Sequence, residues 1–243
     1  MEVALSVVFI AGVVTFFVLV MSVLVQVRQR LEVGELWYGM VPVGAGGALA
    51  AMLVQMGLML IYSTVFGLPS TMTAGEVASR IDLVLFNTAV LGVLFEVSKP
   101  MVVNLFHTRV ERGSWPLYGI AVGLGGGILQ AIISLVPMSW VVVTGEHVVE
   151  VQQLWLLPQS LALLGMEGAL GALVLYRCAE GEQVKGVALG GALHGLALLL
   201  PALLVPVVSS EVVPVLRFVC FGGCGLLAGG VVTFWVRDKG WPF

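Results

Sequence analysis

Residues 3–27 read VALSVVFIAGVVTFFVLVMSVLVQV and contain no charged side chain. A helix rises about 1.5 Å per residue, so this stretch can cross the roughly 30 Å hydrocarbon core of a bilayer. It does not have the pattern of a cleavable signal peptide, because Glu2 precedes it, the apolar run is too long and no small-residue cleavage site follows. The stretch therefore predicts a transmembrane helix.

Six further stretches have the same character. The chain of 243 residues is 59% hydrophobic and only 10% charged, whereas soluble domains are about a quarter charged. We predict an all-α fold, a polytopic transmembrane helical bundle that forms a single domain over residues 1–243. The predicted spans are 3–27, 39–66, 81–106, 117–143, 151–176, 186–208 and 212–236.

Charged residues near the span ends predict the orientation. The basic ones fall in segments that a seven-span chain places on one side, whereas the opposite loops are acidic and contain only Arg80 as a basic residue. By the positive-inside rule we expect a cell-membrane protein with the N-terminus outside and the C-terminus in the cytoplasm. The basic residues are Arg28, Arg30, Arg109, Arg112, Arg177, Lys185, Arg237 and Lys239, and the acidic ones opposite are Glu76, Glu146, Glu150 and Glu211.

Glycines recur at four-residue spacing in several spans. Gly119, Gly123 and Gly127 form such a ladder in span four, and Gly186 with Gly190 forms one in span six. Ladders of small residues let helix backbones approach closely in lipid, so they predict tight packing and no chemistry.

Five polar residues lie deep within predicted spans: Glu96 and Lys99 in span three, Gln130 in span four, Glu167 in span five and His194 in span six. Such groups are costly in a membrane and mark functional sites by default. At about 1.5 Å per residue, Glu96, Glu167 and His194 lie about 14–16 Å from the cytoplasmic ends of their spans, and Gln130 about 22 Å. We therefore expect one buried cluster.

Each residue also has a purely structural interpretation. Glu96 and Lys99 are one turn apart and could form an ion pair that keeps span three apolar enough to insert. Gln130 could be a hydrogen-bond partner between helices, and a single His194 on an apolar helix is usually a packed imidazole. Arg217 falls near the outer end of span seven, where we expect it to snorkel to the interface.

Residues 95–99 read FEVSK, residues 123–131 read GLGGGILQA and residues 192–195 read ALHG. These segments resemble the motifs of the YhfC-type family of intramembrane metalloproteases, relatives of the CPBP group of CAAX-processing enzymes and of the PrsW group. The family pattern Glu-Glu-x-x-Arg matches at its second glutamate and, with lysine for arginine, at its last position. Residues 123–131 correspond to the family pattern Gly-x-Gly-His-Gly-Gly-x-Glu-Ala. Gly126 stands at the position of the family's histidine, and Gln130 stands at the position of its glutamate.

The resemblance implies proteolysis by a glutamate-activated water, with Glu96, His194 and Glu167 as the catalytic set. A glutamine cannot accept the proton of that water and a glycine offers no ligand. We therefore expect a non-catalytic relative, a pseudoenzyme that uses a polar intramembrane cavity, with Lys99 and Gln130 in its wall, for binding or as the subunit of a complex. Its expected partners are membrane lipids and the transmembrane segment of another protein.

Two alternatives stay open. One is a divergent but active protease with Glu96 as base, His194 as oxyanion or metal partner and Glu167 replacing a lost group. The other is a proton or solute transporter, which is less expected because the polar groups lie at one depth. The sequence predicts no cofactor and leaves a divalent metal open, although this donor set is poor by zinc standards. A net charge of −3 predicts no nucleic-acid partner.

Overall fold

The fold is a bundle of seven long helices, seen in a computed structural model that describes residues 2–31, 36–68, 80–105, 114–145, 149–205, 207–209 and 212–238. A short 3₁₀ helix, Val151–Trp155, leads directly into the fifth long helix, and no β-strand occurs among the residues described. The long helices are α1 Glu2–Leu31, α2 Leu36–Val65, α3 Ile81–Asn104, α4 Trp115–Val143, α5 Leu156–Ala179, α6 Gln183–Leu204 and α7 Val212–Asp238.

The prediction of seven spans is confirmed. All seven helices are long and apolar enough to cross a membrane, and their ends differ from the predicted ones by a few residues. The predicted orientation remains a prediction, because several of the charged residues behind it lie outside the described part of the chain, as do the side chains of Arg28 and Arg30. Those residues are Glu76, Arg109, Arg112, Glu146, Glu211 and Lys239.

The outer surface of the bundle is apolar. Large side chains such as Leu60, Leu226 and Phe234 are at least 70% exposed, which would promote aggregation of a soluble monomer. Charged side chains, by contrast, are found fully buried inside. This distribution fits a protein whose surface faces lipid, because lipid chains offer no hydrogen-bond partners to polar side chains on that surface.

Glycines set the distances between the central helices. A Cβ atom on Gly119 would overlap the carbonyl oxygen of Gly171, and one on Gly123 would overlap that of Glu167. These contacts hold α4 against α5 with backbone touching backbone, which confirms the close packing predicted from the ladder in span four. On the other side of the bundle, a Cβ on Gly92 of α3 would lie 2.8 Å from the backbone nitrogen of Gly195 in α6.

Ion pairs at the surface stabilise the connection between α5 and α6. Glu182 accepts hydrogen bonds from Arg177 at 2.8 Å and from Lys185 at 2.5 Å, and the bond from Lys185 is the main cause that lowers the pKa of the Glu182 carboxyl. The Arg177 guanidinium also lies 3.7 Å from the centre of the Trp235 ring, as expected for aromatic and basic residues at a membrane interface.

The glycine contacts predict that Gly123→Ala destabilises the protein. The added methyl group must push α5 away from α4, and overpacking of this kind costs about 1–3 kcal/mol. The matched control is Gly165→Ala in α5, because a Cβ there would meet no atom within 4 Å. Thermal unfolding in detergent, followed by tryptophan fluorescence, should show a lower midpoint for the first variant only. Equal midpoints would contradict the packing described here.

Candidate functional site

Lys99 forms the centre of a buried ion cluster. Its Nζ atom donates a hydrogen bond to Glu96 Oε1 at 2.6 Å, one turn away on α3. The same atom forms an ion pair with Glu167 Oε2 on α5 at 2.9 Å. One ammonium group is thus shared by carboxylates from two helices.

Gln130 and His194 complete the cluster from two further helices. Gln130 Nε2 on α4 donates to Glu167 Oε1 at 2.9 Å. His194 Nδ1 on α6 lies 3.0 Å from Glu96 Oε1, and its Nε2 lies 3.5 Å from Glu167 Oε1. All five residues expected from the sequence to meet therefore do so, and Arg217 lies apart from them in the first turns of α7.

Small residues make room for these side chains. A Cβ on Gly190 would lie 3.0 Å from Glu96 Oε2, so glycine at this position leaves the carboxylate its space. The Phe95 ring packs edge-on against the imidazole of His194 with 5.4 Å between the ring centres. Together with the α3–α6 contact at Gly92, this packing fixes the imidazole beside Glu96.

The cluster is excluded from the surface. Glu96, Glu167 and His194 are 0% exposed and Lys99 is 3% exposed. Three of its buried polar atoms, Glu96 Oε2, Glu167 Oε2 and His194 Nε2, have no hydrogen-bond partner within the described parts of the chain. Buried charges are tolerated only when they are paired, and here the pairing comes from Lys99.

The residues present do not fit a divalent metal. One ligand atom from each of Glu96, Glu167 and His194 lies within 4.8 Å of the others, so the three could converge on an ion. The Lys99 ammonium, however, already contacts both carboxylates. A metal ion bonded to them at about 2.0–2.2 Å would be forced against this positive charge.

Gly126 faces the cluster from α4. A Cβ on this residue would lie 3.9 Å from Glu167 Oε2 and 3.5 Å from the Cβ atom of Ala48. The position at which the family resemblance expects a histidine therefore points at the buried carboxylates, and it carries no side chain. Gln130, at the position of the expected glutamate, contacts the same carboxylate of Glu167.

A cavity adjoins the cluster, as expected from the sequence, and of the two residues predicted for its wall Gln130 lines it and Lys99 does not. It has a volume of about 370 Å³ and is lined in part by Gln130, Gln159, Ser160 and Arg217. Its lining comes from the first halves of α3, α5 and α7 and the second halves of α4 and α6, so it opens toward the end of the bundle where the odd-numbered helices begin. We call this end the N-terminal face.

Sequence reasoning missed five polar residues of this cavity: Asn87, Thr88, Ser134, Gln159 and Ser160. The signal was present, because each is a polar side chain within a predicted span. Asn87 is paired with Gln55 of α2, whose amide donates to the Asn87 side-chain oxygen. Neutral polar side chains cost less in a membrane than charged ones, so these residues did not stand out.

Comparison with known proteins adds no identification. No protein-family model and no curated protein sequence matches the chain. The resemblance to intramembrane proteases therefore depends on the quoted segments and on the geometry of their residues.

The shared ammonium predicts that Lys99→Met is strongly destabilising. The substitution leaves two buried carboxylates without a counter-charge, and breaking a buried ion pair costs about 3–5 kcal/mol. Lys185→Met is the matched control, because the Lys185 side chain is 73% exposed and exposed pairs contribute little. The free energy of unfolding, measured by titration with a denaturing detergent in mixed micelles, should fall for Lys99→Met alone. Similar values for both variants would contradict a central role of Lys99.

The same geometry predicts that Zn²⁺ stabilises the Lys99→Met variant. Without the ammonium, the two carboxylates and His194 are free to bind a cation at the place it occupied. Micromolar Zn²⁺ should raise the unfolding midpoint of this variant, and should not raise that of the wild type or of Lys99→Met combined with His194→Ala. Stabilisation of all three proteins would show that the ion acts elsewhere.

Proposed function

We propose that this chain is a non-catalytic membrane protein with the scaffold of the YhfC-type intramembrane proteases, and that it uses its polar interior for binding. The observation that carries this proposal is the contact of one Lys99 ammonium with both buried carboxylates. We further propose that it is a cell-membrane protein with its basic loops in the cytoplasm, following the charge pattern of the sequence.

The chemistry of hydrolysis argues for a binding role. A general base must be free to take a proton from water, but Glu96 and Glu167 are each held by Lys99, and Glu96 also contacts His194. Gln130 has no basic atom to replace a glutamate, and Gly126 has no side chain. The set therefore stabilises the arrangement of four helices, and each of its carboxylates is paired with the Lys99 ammonium rather than held ready for a water molecule.

The ion cluster holds one part of the wall of the adjoining cavity in place. Gln130 lines the cavity and bonds to Glu167, so the cavity wall is anchored to the ion network. A binding site needs walls held in one geometry, which reduces the entropy lost on binding. Membrane lipids and the end of a transmembrane segment from a partner protein are the occupants that a cavity at this depth would meet.

An assay of proteolysis tests this proposal. Purified wild-type protein in proteoliposomes should cleave fluorogenic transmembrane peptides no faster than the Glu96→Gln variant does. Ser98→Ala serves as a control for general damage to α3, because the Ser98 hydroxyl bonds only the backbone oxygen of Phe95. Cleavage that is present in the wild type and in Ser98→Ala, and lost in Glu96→Gln, would overturn the proposal.

The second candidate is a divergent but active protease. It is favoured by the close approach of Glu96, Glu167 and His194, and by the unpartnered His194 Nε2 atom, which could donate to an oxyanion. In this candidate mechanism Glu96 is the general base, and Glu167 takes the role of a catalytic group of the family that this chain lacks. Displacement of Lys99 would have to precede catalysis, and the assay above distinguishes the two candidates.

A transporter is the third candidate. The polar cavity and the link from Gln130 to Glu167 connect the N-terminal face with the buried charges, so the polar groups are not confined to one depth. Proton or solute flux into proteoliposomes that depends on Glu96 would favour this candidate over the binding protein.

A further inference from the structure

The cavity at the N-terminal face combines apolar walls with a few polar side chains. Its volume is about 370 Å³, within the range of small-molecule sites. Leu91, Leu163 and Phe221 are among the apolar residues of its wall, whereas Gln159, Ser160 and Arg217 supply polar groups. A cavity of this composition suits a small amphiphile with one polar end.

Two of its polar side chains are available to an occupant of the cavity. Gln159 is 8% exposed and Ser160 is 5% exposed, and neither side chain makes a hydrogen bond to any described residue. Their polar atoms are not among the fully buried ones, and both residues line the cavity. A ligand inside the cavity can therefore form hydrogen bonds with both of them.

The charge at this site is positive. Arg217 lines the cavity, is exposed, and forms no ion pair within the part of the chain that the structure describes. A guanidinium at the wall of a cavity, with no counter-ion among the described residues, is free to pair with an anion that enters the cavity. The carboxylate of Glu167 contacts Lys99 and Gln130 and does not line the cavity, so it does not serve as the partner of Arg217.

We propose that this cavity binds an amphiphile that carries a carboxylate. The planar guanidinium of Arg217 matches a carboxylate, the Gln159 amide and the Ser160 hydroxyl donate further hydrogen bonds, and the apolar wall accommodates the tail. A monoanion is favoured over a phosphate dianion, since only one unpaired cation is available. The inference deepens the proposed binding function, and the ligand is either a free fatty acid or the C-terminal carboxylate of an apolar peptide.

Thermal unfolding in a non-ionic detergent tests the proposal with defined probes. Sodium octanoate should raise the unfolding midpoint in a saturable manner, and octan-1-ol, which has a similar tail and no charge, should not. Acetyl-trileucine with a free carboxylate and its C-terminal amide form the peptide arm, in which only the acid should act. The stronger of the two acids identifies the source of the carboxylate. Saturation by neither acid, or an equal effect of the neutral probes, would overturn the proposal.

Substitutions of lining residues test whether the probes bind in this cavity. Arg217→Gln should weaken binding of the active probe at least about 10-fold, and Gln159→Leu about 3- to 10-fold, because each removes a donor to the carboxylate. Arg237→Gln is the matched control, since Arg237 lies near the other end of the same helix and does not line this cavity. Equal weakening by Arg217→Gln and Arg237→Gln would overturn the site. Proteolytic activity would refute the proposed non-catalytic role without affecting these binding results, so the two failures are distinguishable.

Discussion

One ammonium group, that of Lys99, determines the charge balance of the interior. It is paired with carboxylates from α3 and α5 at 2.6 and 2.9 Å, and in a region of low dielectric such contacts must be kept at short range. The helices therefore have to approach closely. Gly123 allows α4 to touch α5 at the carbonyl of Glu167 itself, so the packing of the backbone and the pairing of the charges depend on each other.

The formal charges of the cluster do not cancel. Two carboxylates and one ammonium leave a single negative charge among these residues. His194 lies beside both carboxylates, with Nδ1 3.0 Å from Glu96 Oε1 and Nε2 3.5 Å from Glu167 Oε1. The cavity differs from the cluster in the sign of its charge, because Arg217 supplies a positive charge there that the described residues leave unpaired.

The seven spans and the members of the cluster could be predicted because two simple quantities determine them. A bilayer of fixed thickness selects long apolar helices, and the constant helical rise converts residue number into depth, which brought Glu96, Gln130, Glu167 and His194 to similar levels. Depth does not give the rotation of a helix or its neighbours. Depth alone therefore does not predict the contact of Lys99 with Glu167 across α3 and α5, or the place of Gln159 and Ser160 in the cavity wall.

Gln130 connects the two halves of the site, and its chemical nature follows from the charges around it. A glutamate at this position, as the family resemblance expects, would place a third carboxylate 2.9 Å from Glu167 Oε1. With one ammonium for three carboxylates, such an interior would require a bound cation or additional protons. The amide instead donates a hydrogen bond to Glu167 and adds no charge. Lys99, Gln130 and the side-chain-free Gly126 are therefore mutually consistent in an interior that keeps its excess of carboxylates to one.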